Sequence, residues 1–297
     1  MKRRYEQPQK RGKRKLRKDK GFYIAILCFI FGLGLLMYPS ISNWVNERNG
    51  SKVISTYNEA VSNLDKEQFE FEWNEAIKHN EFLADRGFLA AGYDMEMADD
   101  LETYNSLLNV GKDGVMGSIR VPKLDLAIPI YHTTSDAVLQ RAVGHFVGSS
   151  LPVGGKSSHS ILSGHRGLPS AELFSNLDQM KKGDLFYIDV LNQTLAYKVD
   201  KIKTIDPDNK KDLDIVEGKD YVTLLTCTPY GVNTHRLLVR GHRVPYEKKQ
   251  EKKEIQKGKS LLQFALMKRV LLLVGSFIIA LIFAIRLGIF LADKHHR

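Results

Sequence analysis

Hydrophobic and polar positions divide this 297-residue chain into stretches of different texture. Gly21 to Tyr38 is an uncharged run of 18 residues rich in Ile, Leu, Phe and Gly. That is at the lower edge of what crosses a ~30 Å hydrocarbon core. It ends Met37-Tyr38-Pro39-Ser40 with no Ala-x-Ala pattern, which predicts an uncleaved anchor rather than a cleaved signal peptide. A second run covers Val270 to Ile285, then Arg286, then Leu287 to Ala292. Residues 271–285 have no polar face, so a membrane span is expected there rather than a core helix, with Arg286 able to snorkel to the interface.

Between these runs the period changes once. Val53, Ile54, Tyr57, Val61 and Leu64, then Phe69, Trp73, Ala76 and Ile77, recur at roughly helical spacing. They predict two or three amphipathic helices packed on the domain that follows. Arg86 to Asp100 breaks the pattern with Gly87 and Gly92. From Gly114 onward the chain reads as short strands at 117–121, 127–131, 158–162, 185–190, 195–205, 221–226 and 237–244, punctuated by Gly, Pro, Asn and Asp. Short helices fit 136–143 and 171–177. Many short strands with few long helices argue a mainly β barrel or sandwich.

Charge changes the picture little. The formal net charge is +10, but residues 1–20 hold 11 Lys/Arg and 2 Asp/Glu, or +9, leaving +1 for the rest. A basic tail beside an apolar run predicts a cytoplasmic N-terminus, not a nucleic-acid partner. With Lys294 and Arg297 beyond the second run, both termini are expected in the cytoplasm and residues 39–269 outside it. Of two cysteines, Cys28 lies in the first run, so Cys227 has no disulfide partner in the outer domain. No CxxC, HExxH, Walker, dinucleotide or EF-hand pattern occurs, and neither a metal nor a cofactor is expected.

The candidate chemistry lies in Thr223-Leu224-Leu225-Thr226-Cys227-Thr228-Pro229-Tyr230-Gly231, followed by Arg236. A thiol at a strand end, with a guanidinium returned beside it by a hairpin, suits acyl transfer through a stabilised oxyanion. Ser163-Gly164-His165-Arg166-Gly167 places a histidine at the end of another apolar run. Arg240 shares the face of Arg236 by period-two alternation and Arg243 does not, but spacing from the cysteine favours Arg236. Thr226 and Ser163 are expected to line the site, and Arg166 reads equally well as a surface ion-pair partner or a catalytic group.

These residues resemble the sortase family of Gram-positive cell-surface transpeptidases. The resemblance runs from about Gly111 to Pro245 and includes Val115 to Leu124, Gly144 to Gly148 and Leu151 to Gly155. It implies an eight-stranded β-barrel, with Cys227 as nucleophile, His165 as proton donor and acceptor, and Arg236 as stabiliser of the carbonyl oxygen. It implies cleavage of an LPxTG-like sorting signal and transfer of the acyl group to an amine.

The expected organisation is a basic tail 1–20, an anchor 21–39, a helical segment 40–110, a catalytic barrel 111–246, a charged linker 247–269, a second span 270–292 and a tail 293–297. A second span is similar to the pilin-polymerising class C, whose acceptor is a lysine amine of another pilin. The Asp-Pro-aromatic lid motif of that class is missing before Gly111, the only Asp-Pro being Asp206-Pro207. A housekeeping sortase that joins proteins to peptidoglycan, and a non-catalytic membrane scaffold, are the alternatives.

Overall fold

The structure, a computed structural model, describes residues 20–86, 98–209 and 211–260, with isolated positions up to 275. Eight strands close into a barrel in the order β1-β2-β3-β4-β7-β8-β6-β5. They are β1 Val115–Val121, β2 Leu126–Tyr131, β3 Val143–His145, β4 Ser158–Ser163, β5 Leu185–Val190, β6 Gln193–Ile205, β7 Asp220–Thr228 and β8 His235–Val244. Three helices precede them: α1 Lys20–Ser62, α2 Lys66–Arg86 and α3 Ala98–Ser106. A short α4, Asp136–Leu139, and three 3-10 turns at Pro122–Leu124, Leu177–Gln179 and Lys211–Leu213 fill the connections.

The alternating runs of the sequence become strands because each has a face to bury. Ile119, Val121, Ile188, Val190, Val222, Leu224, Leu237 and Val239 meet inside the barrel. On the outer face of β4, β7 and β8, a smaller cluster joins Ile161, Ile205, Leu213 and Leu238 to Phe146 and Leu225.

The helical segment packs on this barrel, as its apolar stripe requires. Tyr57 donates its hydroxyl to the Met116 carbonyl at 3.0 Å and accepts the Leu191 amide at 3.1 Å. Asn80, buried on α2, holds both backbone groups of the 151–154 turn: it donates to the Leu151 carbonyl and accepts the Leu151 amide at 2.6 Å.

Four expectations change. The helix expected over 136–143 stops at Leu139, which frees Val143–His145 to pair with β2 and β4 as a strand too short for alternation to reveal. No helix forms over 171–177, because its backbone amides bond elsewhere. The Glu172 amide goes to Asn43 Oδ1 at 2.6 Å, and the Phe174 amide to the His165 carbonyl at 3.1 Å. α1 continues unbroken through Pro39 into the segment that packs on the barrel. The charged linker is in part a docked helix, α5, over 248–260. Its Glu251 is buried against Arg120 and accepts the Tyr246 hydroxyl at 2.6 Å. Gly258 lies so close to the barrel that a Cβ there would stand 2.0 Å from the Pro122 carbonyl oxygen.

Among the described residues no helix is long and apolar enough to cross a membrane; the expected first span, 21–39, falls in α1, where the side chains of 20–26 and 29 lie outside the described ones. The expected second span, 270–292, lies outside the described residues save for Leu271 and Gly275. So does most of the 86–100 segment, where the helical pattern breaks.

Two buried histidines should make the fold acid-labile. His145 accepts the Tyr104 hydroxyl at Nδ1, which leaves Nε2–H to donate to the Ser150 carbonyl at 2.9 Å. His159 donates Nδ1–H to the Asp214 carbonyl and accepts the Thr223 hydroxyl. Burial pushes their pKa values down to about 3 and about 4 respectively. The unfolded chain therefore takes up protons first as pH falls. Their contribution is intact above about pH 6.5 and erodes below it, by up to ~1.4 kcal/mol per pH unit for each histidine. Denaturant melts between pH 7 and pH 4.5 should show this slope, and His159→Asn should flatten it while lowering stability at pH 7.

Candidate active site

β4 and β7 run parallel, with Ser163 opposite Leu225, and β7 and β8 antiparallel, with Cys227 directly opposite Arg236. Directly paired residues share a face of the sheet. Parity along β7 puts Tyr221, Thr223, Leu225 and Cys227 on the outer face, and along β8 Arg236, Leu238 and Arg240. β4 ends at Ser163, opposite Leu225, and His165 follows two residues beyond that pair. The structure thus gathers His165, Cys227 and Arg236 at one rim, above the outer cluster of Ile161, Leu213, Leu225 and Leu238.

The local sequence explains how each is held. Gly164 continues the ladder by donating its amide to the Leu225 carbonyl at 3.0 Å and accepts the Thr226 hydroxyl at 2.7 Å. Any Cβ at 164 would stand 2.7 Å from the buried Phe174 ring, so only glycine admits the segment that turns back over His165. Thr226 is therefore not a lining residue: it points away from Cys227 and staples β7 to β4.

Arg236 Nη1 donates to the Asn233 and His235 carbonyls, both at 3.2 Å, which leaves Nε and Nη2 without a partner among the described residues. His165 and Cys227 are partly exposed, and neither side chain makes a hydrogen bond to a described residue. By contrast His132, His145 and His159 are buried with both ring nitrogens engaged.

The other arginines of β8 are committed elsewhere. Arg240 makes a bidentate pair with Asp200 and lies 4.0 Å over the Tyr221 ring, and Arg243 lies 3.8 Å from Asp220. Arg166 is the residue whose place the sequence left open. Its side chain is only 7% exposed. It donates Nη1–H to the Thr228 hydroxyl at 2.9 Å and Nε–H to the Ser175 carbonyl at 3.2 Å, pairs through Nη2 with Asp178 at 2.8 Å, and lies 5.9 Å from the Tyr230 ring centre. It ties the segment after His165 to the residue after Cys227. A charged residue adjoining an apolar strand was the one hint of this in the sequence.

A Sortase domain family model matches residues 119–244, which include all three candidate residues. Sortase C1 of Streptococcus agalactiae superposes with a TM-score of 0.63 at 50% identity, covering 66% of this chain and all of that one. The chain belongs to the sortase family. Sortases are cysteine transpeptidases, and this sortase is one by its domain and its relatives. Sortase C of Streptococcus pneumoniae is 45% identical, with a TM-score of 0.57 over 66% of this chain and 97% of that one. Sortase A of Bacillus anthracis is 27% identical over 220 residues, which are 73% of this sortase and 91% of that protein.

Among the described residues no cluster of His, Cys, Asp and Glu could hold a metal ion.

Proposed function

We propose that this sortase polymerises pilin subunits, with Cys227 as nucleophile, His165 as the proton-transfer group and Arg236 as the carbonyl-oxygen donor. The observation that carries the roles is the direct Cys227–Arg236 pairing on one sheet face, with His165 at the end of the adjoining strand. The Cys227 thiolate attacks the threonine carbonyl of an LPxTG-like sorting signal. Nε–H and one Nη2–H of Arg236 stabilise the oxygen as it gains charge. The carbon–nitrogen bond to glycine breaks, and His165 in its protonated form gives a proton to the leaving amine. A lysine ε-amine of the next subunit then attacks the thioester and loses its proton to His165. Cys227 leaves as thiolate, and an isopeptide bond joins the subunits.

The pilin reading is supported by the sortase C neighbours, of which the pneumococcal structure is described in terms of pilin substrate specificity. A membrane anchor is supported by the exposed apolar side chains of α1, including Leu27, Ile30, Phe31, Leu35 and Leu36, which no barrel surface covers. On this reading the catalytic domain lies outside the cell and both termini inside.

An anti-pilin immunoblot of boiled cell-wall extracts, with and without this sortase, tests the acceptor. The expected result is loss of a covalent high-molecular-weight ladder with the monomer retained. A persistent ladder with reduced wall attachment would instead identify a housekeeping sortase.

A further inference from the structure

We propose that the barrel end that carries the candidate residues is itself a lipid-facing surface, resting on the headgroups of the bilayer in which α1 is anchored. The inference rests on the anchor reading above.

Strand sense fixes which end this is. β1 is antiparallel to β5, β5 to β6, β6 to β8 and β8 to β7, while β7 is parallel to β4. An even number of reversals separates β1 from β7, so β1, β4, β6 and β7 all point to one end. That end carries the Pro122–Leu124 turn, His165 and Cys227.

α1 and α5 both head for the same end. Followed toward its N-terminus, α1 contacts Met116 through Tyr57, Pro129 through Gly50 and the Glu172 amide through Asn43. Followed toward its C-terminus, α5 contacts Arg120 through Glu251, then the Pro122 carbonyl through Gly258. Both paths follow β1 in its own direction and leave beyond its last residue. The segment over His165 belongs to the same end: Lys123 donates to the Gln179 carbonyl and pairs with Asp184, both at 2.7 Å, and Asp178 holds Arg166.

Aromatic side chains set the depth. Tyr38, the last residue of the apolar run, and Trp44, six residues beyond it, project from α1 with 55% and 57% exposure. Exposed Trp and Tyr at the end of an apolar helix sit at headgroup level. Asn43, which holds Glu172, is Trp44's neighbour and lies only ~6 Å along the helix from Pro39. The 166–184 segment is therefore held at headgroup height. Lys181, Lys182 and Lys259 are exposed here, and so are Asp125 and, just past the end of β6, Asp206 and Asp208, so charge does not favour one headgroup class over another.

The test uses the full chain carrying Cys28→Ser and Cys227→Ala, with one environment-sensitive fluorophore attached through Lys182→Cys or Gln193→Cys. Gln193 begins the 13-residue β6 at the far end of the barrel, up to ~40 Å away. Each labelled protein is reconstituted into phosphatidylcholine–phosphatidylglycerol vesicles containing a headgroup-nitroxide lipid. The expected result is loss of most fluorescence at 182 and essentially none at 193. Protein that floats with the vesicles but quenches equally at both positions, or more at 193, overturns the lipid-facing end and leaves the anchor standing. Protein that does not float overturns the anchor reading and this inference with it.

Discussion

Cys227→Ala should reduce acyl transfer from an LPxTG-like peptide by about four orders of magnitude or more, because it removes the nucleophile that carries the acyl group. The fold should hardly notice. Cys227 is partly exposed at the last turn of β7, and its side chain makes no hydrogen bond to a described residue. The substitution removes one sulfur from the outer face, away from the interior packing of Val222 and Leu224. Mass spectrometry of the quenched reaction should find a thioester adduct on the wild type that hydroxylamine removes, and none on the variant. An adduct persisting on Cys227→Ala would assign the nucleophile elsewhere.

The second large effect is expected at Arg166, a positioning residue. Its guanidinium bonds to Thr228, Ser175 and Asp178, so it fixes where the segment after His165 stands relative to the strand that ends at Cys227. Arg166→Met keeps much of the volume but strands the Ser175 carbonyl and the Thr228 hydroxyl, at a cost of about 2–3 kcal/mol. In a protein of this size that lowers the melting temperature by roughly 5–10 °C. Well below the melt, kcat should still fall by about 100-fold with KM nearly unchanged, as a ~1 Å displacement of a reacting group produces. Arg166→Lys should recover part of kcat through a single bond to Thr228. A variant that melts earlier but keeps kcat would show Arg166 to be structural only.

The barrel was legible because its strands are half-buried and alternate, and the partnership of Cys227 and Arg236 because a short turn joins their strands. Proximity of His165 was not legible from periodicity, since β4 and β7 pair in parallel across some 60 residues of chain, and only the resemblance pointed to it. β3 was missed because three residues are too few to display a period. Segment 171–177 was misread because apolar spacing says nothing of whether its amides bond within the segment or to Asn43 and His165. α5 was hidden by its own charge. Its docking depends on one buried glutamate and one glycine rather than on an apolar stripe.

The position of the candidate residues on the outside of the sheet separates two kinds of constraint. The interior packs Val222, Leu224, Leu237 and Val239, whereas the described parts of the connections on either side of β7, 206–209, 211–219 and 229–234, contribute little beyond Leu213 to the buried clusters. Selection on donor and acceptor preference can therefore rewrite these connections in length and composition without repacking the barrel. One scaffold of this kind can diversify into enzymes that attach, join or polymerise different proteins while folding in the same way.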